Sequence, residues 1–418
     1  MSNGSVAFRS KYASRGLERI DAYKVLFAFV CLAFLKPSIC EYYDLWDVSF
    51  NLIRFGLSIL YFILYFFASK GRLNKKIIGL LLIFLLVVYN SFRYSGDIYK
   101  VASHFIPAIG FLAFTDYYID KIQDIIEVIF YEFGLLIILN LLSMIWYPAG
   151  ILTEGNLGYT RVWLLGQKQS WAFCCIPFVF CGNIIKKIDS RASIFYWSCV
   201  GCLCVSLLKA APLGLIINLM IVIVFSFLND KFNFKISTRF LVAILLIGAI
   251  GSILIAIRYD DLYKLQSFLG SINAVGMGKD KTIRVRADMW LTGIKMFMAH
   301  PFLGVGRPSW KMVRSYGGII YHTNLHNMFI DIITTTGLFG LFLYILYIFG
   351  DIKKFAAKYT NDIVFILAIS ILGICIENMT ECLYSPFCFW ILSLGQHADV
   401  LADLLPKNYR KQYIRFIF

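Results

Sequence analysis

The densest polar run in this sequence is His322-Thr323-Asn324-Leu325-His326-Asn327, set at the entrance to a long apolar stretch. An imidazole changes charge near neutrality and can take a proton from a hydroxyl, so a histidine at such a boundary is a candidate general base. If the stretch is a helix, His326 sits at its N-terminal end. The dipole there disfavours imidazolium and keeps the ring neutral and proton-accepting. Gly337 follows eleven residues later, and at ~100° per residue that rotation is within about 20° of three full turns, so both are expected on one face. Gly340 adds a second small residue close to that face, which allows tight helix packing and predicts a histidine pointing into protein.

The second constellation is cationic. Arg161 follows Gly155, Asn156 and Gly158; Lys209 closes an apolar run before Ala210, Ala211 and Pro212; Arg284 and Arg286 open a stretch of helical period. Single lysines and arginines at the ends of apolar runs commonly snorkel, and a lone interfacial histidine is commonly a satisfied structural group. Together the cations read as a clamp for concentrated negative charge, of the kind a departing pyrophosphate carries. The 11 cysteines offer no comparable pattern. Nearly all lie inside apolar runs, and Cys199-x-x-Cys202 has no second pair of ligands, so they read as packing residues. Cys40 and Cys382 fall near the outer ends of runs, and a disulfide between them is not favoured. No Asp-x-Asp pair, P-loop or internal repeat is present, and no metal site is expected.

These residues have to be positioned by a very apolar chain. Of 418 residues, 59% are hydrophobic and 16% charged, and the apolar residues come in runs long enough, at ~1.5 Å per residue, to cross a hydrocarbon core of about 30 Å. The sequence therefore predicts an all-α integral membrane protein with about twelve spans. They fall near 22–39, 48–69, 77–92, 101–118, 125–147, 169–185, 192–208, 213–228, 240–257, 326–349, 363–379 and 385–402. His104, Gln396 and His397 dilute the fourth and last of these. More than half of the 40 Lys and Arg lie at the two termini and in alternate loops. The opposite short loops hold few: Arg93, Lys100, Arg161, Lys168 and Lys209. That asymmetry predicts cytoplasmic termini and accounts for most of the net charge of +15 without nucleic acid. No cleavage pattern follows the first run, which reads as a retained span.

Three regions follow: 1–257 with the first nine spans, a large external loop at 258–325, and 326–418 with the last three spans and a cytoplasmic tail. The loop is basic, from Arg258 to Arg314, against Asp260, Asp261, Asp280 and Asp288. Long loops escape the positive-inside rule, and a basic outward surface suits an anionic ligand. Within it, Ala287, Trp290, Leu291, Ile294, Phe297 and Met298 share a helical stripe over 282–300, ended by Pro301. The segment predicts an amphipathic helix lying on the membrane or capping the spans.

The pattern Arg286-x6-Gly293, His300-Pro301-Phe302-Leu303-Gly304-Val305-Gly306 and His326-Asn327-x9-Gly337-x2-Gly340 resembles the O-antigen polymerase and O-antigen ligase superfamily. Arg161-Val162-Trp163-Leu164-Leu165-Gly166-Gln167-Lys168-Gln169 looks like that family's other external Arg-plus-Gly segment. The motifs span roughly 158–400. One departure is Lys209, where the family usually has Arg; charge is kept but the bidentate fork is lost.

The resemblance implies a GT-C-type fold and transfer of a glycan from undecaprenyl pyrophosphate to an acceptor hydroxyl on the outer face, with no metal, cofactor or nucleotide sugar. It implies His326 as general base, and Arg286, Arg161, Lys209 and Arg284 on the pyrophosphate. His322, Asn327, Glu377 and Glu381 would then contact sugar, although the two glutamates read equally well as helix-end anions. Expected partners are the undecaprenyl-pyrophosphate-linked oligosaccharide, membrane lipid and a chain-length regulator protein. The expected location is the bacterial inner membrane, with the active site on the periplasmic face. A polymerase of O-antigen or capsule repeat units is preferred, because polymerases are more diverse and occur in cells without lipopolysaccharide. A ligase acting on lipid A–core is the alternative. A flippase for lipid-linked oligosaccharide is a third, but related halves and midplane charges are not evident.

Overall fold

The computed structural model describes residues 22–154, 160–210, 212–232, 279–318, 325–351, 353, 354, 358, 361–379 and 381–404. The described residues begin with α1 (Ala22–Leu35). It stops short of the expected boundary because Pro37 follows, and residues before proline avoid helical geometry. Lys36 takes a left-handed backbone and a 3₁₀ turn spans Ser38–Tyr42. Then come α2 (Asp44–Ala68), α3 (Lys75–Arg93), α4 (Ile98–Tyr117) and α5 (Ile122–Trp146). The side chains of Asn74 and Asp97 accept backbone N–H bonds at the starts of α3 and α4, as N-caps should. α6 (Ala172–Ile188), α7 (Ala192–Ala210) and α8 (Leu213–Phe232) follow.

Seven helices among the described residues are long and apolar enough to cross a membrane: α2 to α5, α7, α8, and α11 (Met328–Phe349). α6 and α12 (Asp362–Glu377) are shorter, but nearly every residue in them is buried, so they run through the middle of the bundle. The expected last span is divided into α13 (Pro386–Ser393), a 3₁₀ turn at Leu394–His397 and α14 (Ala398–Ala402). The expected ninth span, 240–257, lies outside the described residues. All cysteines are free thiols, including Cys40 and Cys382. Two of them, Cys174 and Cys199, donate to the carbonyls of Phe133 and Gly134 on α5.

The helix ends alternate as successive crossings require. At one end, Lys76 at the start of α3 pairs with Asp351 beyond α11 at 3.1 Å, and Asp116 of α4 meets His397 at 2.7 Å. Lys187 of α6 reaches Asp230 of α8 and Asp362 of α12 at the same end. At the other end, Lys209 of α7 donates to the Met144 carbonyl of α5, and Met328 N–H bonds Asn378 beyond α12 at 2.7 Å. The all-α expectation misses one feature at this second end. Leu152–Glu154 (β1), Thr160–Trp163 (β2) and Gly166–Gln167 (β3) form a small antiparallel sheet, with Leu152 opposite Val162 and Val162 opposite Gln167.

The loop helix is α9 (Lys279–Ala299), followed by α10 (Trp310–Ser315). Its buried face matches the expected stripe only in part. Ala287, Met289, Trp290, Thr292 and Met296 are buried, whereas Leu291 and Met298 are exposed. α9 packs on the first half of α11, because Gly293 brings the two backbones together: a Cβ there would lie 2.5 Å from Leu325 Cδ1 and 2.9 Å from Thr334 Oγ1.

α11 itself is interrupted. Gly337 has φ 64° and ψ −163°, a conformation in practice restricted to glycine. The carbonyls of Thr334 and Thr335, which would have served the next turn, accept instead from Val305 and Gly306 N–H, each at 2.9 Å. Beyond the break, Leu338 and Phe339 N–H donate to the carbonyls of Pro301 and Phe302 at 2.8 and 3.2 Å. Residues 301–306 therefore replace the missing helical bonds. Gly337→Ala should lower stability by more than ~1–3 kcal/mol, since strain adds to a Cβ placed 2.5 Å from Phe302 O and 2.6 Å from Leu303 N. Gly56→Ala in α2 meets nothing within 4 Å and should be neutral or slightly stabilising. Thermal unfolding of the two purified variants in detergent checks the contrast.

Candidate active site

Two short segments meet at the second end of the bundle: residues 325–327 before α11, and 378, 379 and 381–385 between α12 and α13. Asn327 caps α11, its side-chain oxygen accepting from Phe329 and Ile330 N–H and its amide donating to Met379 O at 2.9 Å. Asn378 gives its carbonyl to Met328 and its side-chain oxygen to Leu383 N–H at 3.1 Å. This stitching sets Glu381 beside His326. His326 Nδ1 lies 2.6 Å from Glu381 Oε2, and the other carboxylate oxygen accepts from Arg286 Nη2.

Arg286 arrives on α9, which is anchored two ways below it. Trp290 Nε1 donates to Leu325 O at 2.7 Å, and Thr334 Oγ1 donates to Gly293 O at 3.1 Å. The Arg286-x6-Gly293 spacing thus has a physical reason: the glycine lets α9 lie against α11 so that the guanidinium reaches Glu381. The His326 and Arg286 side chains are 27% and 23% exposed and that of Glu381 13%, so two groups open to solvent share one mostly buried carboxylate. With the carboxylate accepting, Nδ1 carries the imidazole proton and Nε2 is the basic nitrogen.

His326 is not part of α11. The helix starts at Met328, and His326 has φ 48° in the left-handed region. Gly337, at the break, is not helical either. The expectation that the two share a helix face is overturned, because the helical repeat does not run from one to the other.

A second, buried polar group lies behind the first. Arg307 Nη1 bonds both oxygens of Asp331 at 3.0 and 2.9 Å, and Tyr384 donates its hydroxyl to Asp331. His104 stacks on the Tyr384 ring at 4.8 Å between centroids, 4° from parallel, and its Nδ1 is 3.4 Å from Arg307 Nη2. Burial alone would lower the Arg307 pKa, but the Asp331 carboxylate more than offsets it and the guanidinium is held firmly charged. Burial, with Asp331 next in effect, raises the Tyr384 phenol well above its usual range. None of these four was singled out from sequence. The available signal was Asp331, a carboxylate inside an apolar run.

The remaining candidates lie elsewhere or are engaged by the chain. Arg161, on β2, is exposed and reaches the Pro148 carbonyl at 3.4 Å. Lys209 holds the Met144 carbonyl at 2.7 Å. Neither is joined to Glu381 or His326 by a hydrogen bond or ion pair among the described residues. Glu377 is buried at the end of α12, one helical turn before Glu381. The Arg284 side chain and His322 lie outside the described residues. Asn327, expected against sugar, is fully buried with both ends of its amide bonded to backbone. Asn327→Ala should therefore reduce stability by ~1–2 kcal/mol through the lost cap and the orphaned Met379 carbonyl. Asn327→Asp, which keeps the capping oxygen, should recover part of that, as read from unfolding midpoints.

Among the described residues no three His, Cys, Asp or Glu side chains are grouped to hold a metal ion. No curated protein matches the chain. Residues 194–345 match the family model described as O-antigen ligase. That region runs from α7 into the second half of α11 and includes Arg286, Gly293, the 301–307 segment, His326 and Gly337; Glu381 lies beyond it. This match supports placing that region in the O-antigen polymerase and O-antigen ligase superfamily.

Proposed function

We propose that the protein is a membrane glycosyltransferase of the GT-C type that polymerises O-antigen or capsule repeat units. It would cross the bacterial inner membrane twelve times, counting the expected 240–257 span, with cytoplasmic termini and its reacting residues outside. The donor is a glycan on undecaprenyl pyrophosphate, and the acceptor is a hydroxyl of another lipid-linked repeat unit. The observation that carries this reading is the Glu381 carboxylate shared by His326 and Arg286.

In the reaction, His326 Nε2 takes the acceptor hydroxyl proton while Glu381 holds Nδ1–H and balances the imidazolium that forms. The acceptor oxygen attacks the anomeric carbon, and the bond to the phosphate oxygen breaks with its electron pair leaving on the pyrophosphate. Arg286, alongside its bond to Glu381, would meet that charge with a planar guanidinium suited to phosphate oxygens. Arg161, Lys209 and Arg284 remain proposed contacts of the pyrophosphate or its lipid-proximal end, and His322 and Glu377 of sugar. The step calls on no metal or other cofactor, and a chain-length regulator is a proposed partner.

A second reading is favoured by the description of the matched family: an O-antigen ligase, with the same donor and lipid A–core as acceptor. Purified protein given synthetic lipid-linked repeat units alone separates the two. Chain growth supports the polymerase, and transfer only after lipid A–core is added supports the ligase. His326→Ala should abolish long glycan in a strain lacking the enzyme while the protein still accumulates in the membrane. Glu381→Gln should cost about 10²–10⁴-fold in rate. Normal ladders from accumulated His326→Ala protein would remove the histidine from the mechanism. For topology, single cysteines at Gly278 and Arg72 should label from opposite sides, with Gly278 outside; labelling from one side would overturn the span count.

A further inference from the structure

The buried group behind the site has a direct connection to His326. Asp331, 1% exposed, stands in the first turn of α11, and its carboxylate has three partners. Arg307, 3% exposed, bonds it from the 301–307 segment, Tyr384 bonds it from the chain between α12 and α13, and its Oδ1 accepts Leu325 N–H at 3.1 Å. Leu325 is the residue before His326. Its carbonyl is also held, by Trp290 Nε1. The residue after His326 is Asn327, whose side chain is fixed as the cap. His326 is thus gripped on both sides.

That grip matters because His326 is a non-glycine residue with φ 48°. Such a backbone is uncommon and persists where the surroundings over-determine it. An extended conformation at this position would turn the imidazole away from Glu381. A buried ion pair contributes little net stability compared with apolar packing, so stability alone is a weak reason for Arg307 and Asp331 to be there. Fixing one geometry is a better one. The glycines beside Arg307 serve the same end: Gly306 has φ 68°, and Arg307 N–H bonds Ser91 Oγ at 2.8 Å, which ties the segment to α3.

We infer that Asp331, clamped by Arg307 and Tyr384, is a positioning residue: through Leu325 N–H it fixes the left-handed turn that presents His326 to Glu381. The effect on turnover rests on the glycosyl-transfer reading above; the geometric claim does not.

The test compares two paired substitutions, neither of which leaves a lone buried charge. Asp331→Leu with Arg307→Leu removes the acceptor for Leu325 N–H. Asp331→Asn with Arg307→Gln removes the charges but keeps an acceptor oxygen. With lipid-linked repeat units as substrate, the first pair should lower kcat about 10–100-fold with donor KM nearly unchanged, the size expected of a misplaced catalytic group. The second pair should restore most of the turnover. Equal turnover in the two pairs overturns the inference. If the first pair does not accumulate, Tyr384→Phe decides: it should lower kcat by about threefold or more at unchanged KM, and wild-type kcat would overturn the inference. If the wild type proves inactive on this donor, the reaction reading fails and the positioning claim is judged without it. Diethyl pyrocarbonate modification of His326, followed by peptide mass spectrometry, should slow in Glu381→Gln, because the imidazole loses the carboxylate that fixes its Nδ1–H tautomer and ring orientation. It should slow likewise in the first pair. Slowing in Glu381→Gln alone overturns the inference.

Discussion

The structure depends on one exchange of backbone hydrogen bonds. Gly337 breaks α11, and an interrupted helix in an apolar surrounding leaves carbonyls and N–H groups that lipid cannot satisfy. Residues 301–306 supply those partners from both sides of the break. Because they do, α9 ends against α11, Arg307 enters next to Asp331, and Arg286 is carried to the level of Glu381. Gly304, Gly306 and Gly337, all with positive φ, make the close approach possible. Gly304 has φ 72°, and a Cβ on it would lie 2.5 Å from Thr336 N. Irregular backbone is tolerated at such a place only when protein covers it, and here the covering segment leads directly into Arg307, the partner of Asp331.

Around that exchange, charge is sorted by depth and by end. Lys76, Lys187 and His397 are tied to carboxylates at the end where the basic loops lie. At the opposite end, Arg307 with Asp331 and the Arg286–Glu381–His326 group are stacked, the first buried and the second partly open. The buried pair is neutral as a unit, so it can hold geometry without imposing its own field on an anionic ligand. The outer group has two basic side chains on one carboxylate.

Sequence made part of this legible. Run lengths and loop charges marked the long apolar helices, and His326 and Arg286 stood out because unlike residues sat at recognisable spacings. Glu381 was noticed, but as a contact for sugar. Its bond to His326 joins residues 55 apart through the closing of two loops, which no local period records. In the sequence Arg307 is one basic residue among those between Arg258 and Arg314, with nothing local to set it apart. Asp331 was overlooked because its neighbours are uniformly apolar and hydropathy averages it away. The break at Gly337 was hidden for a related reason. A glycine in an apolar run reads as a packing notch, and only the partner segment shows that the helix stops there. The stripe expected on α9 holds at Ala287 and Trp290 but not at Leu291 and Met298, because the helix is covered on a side set by Gly293.

The way α9 runs beside α11 separates sidedness from depth. Its chain enters and leaves at the same end of the bundle, yet its turn reaches the level of Gly337, nine residues into a 22-residue helix. Met298 and Phe302 there are 70% and 72% exposed, and Leu338 and Phe339, whose N–H groups bond the Pro301 and Phe302 carbonyls, are exposed as well. In a bilayer these four would form one oily surface. A segment that counts as loop in any inventory of crossings would then be solvated by acyl chains. Proteases and charged reagents would report it as span, and the thickness of the surrounding lipid would press directly on the strand that closes the broken helix.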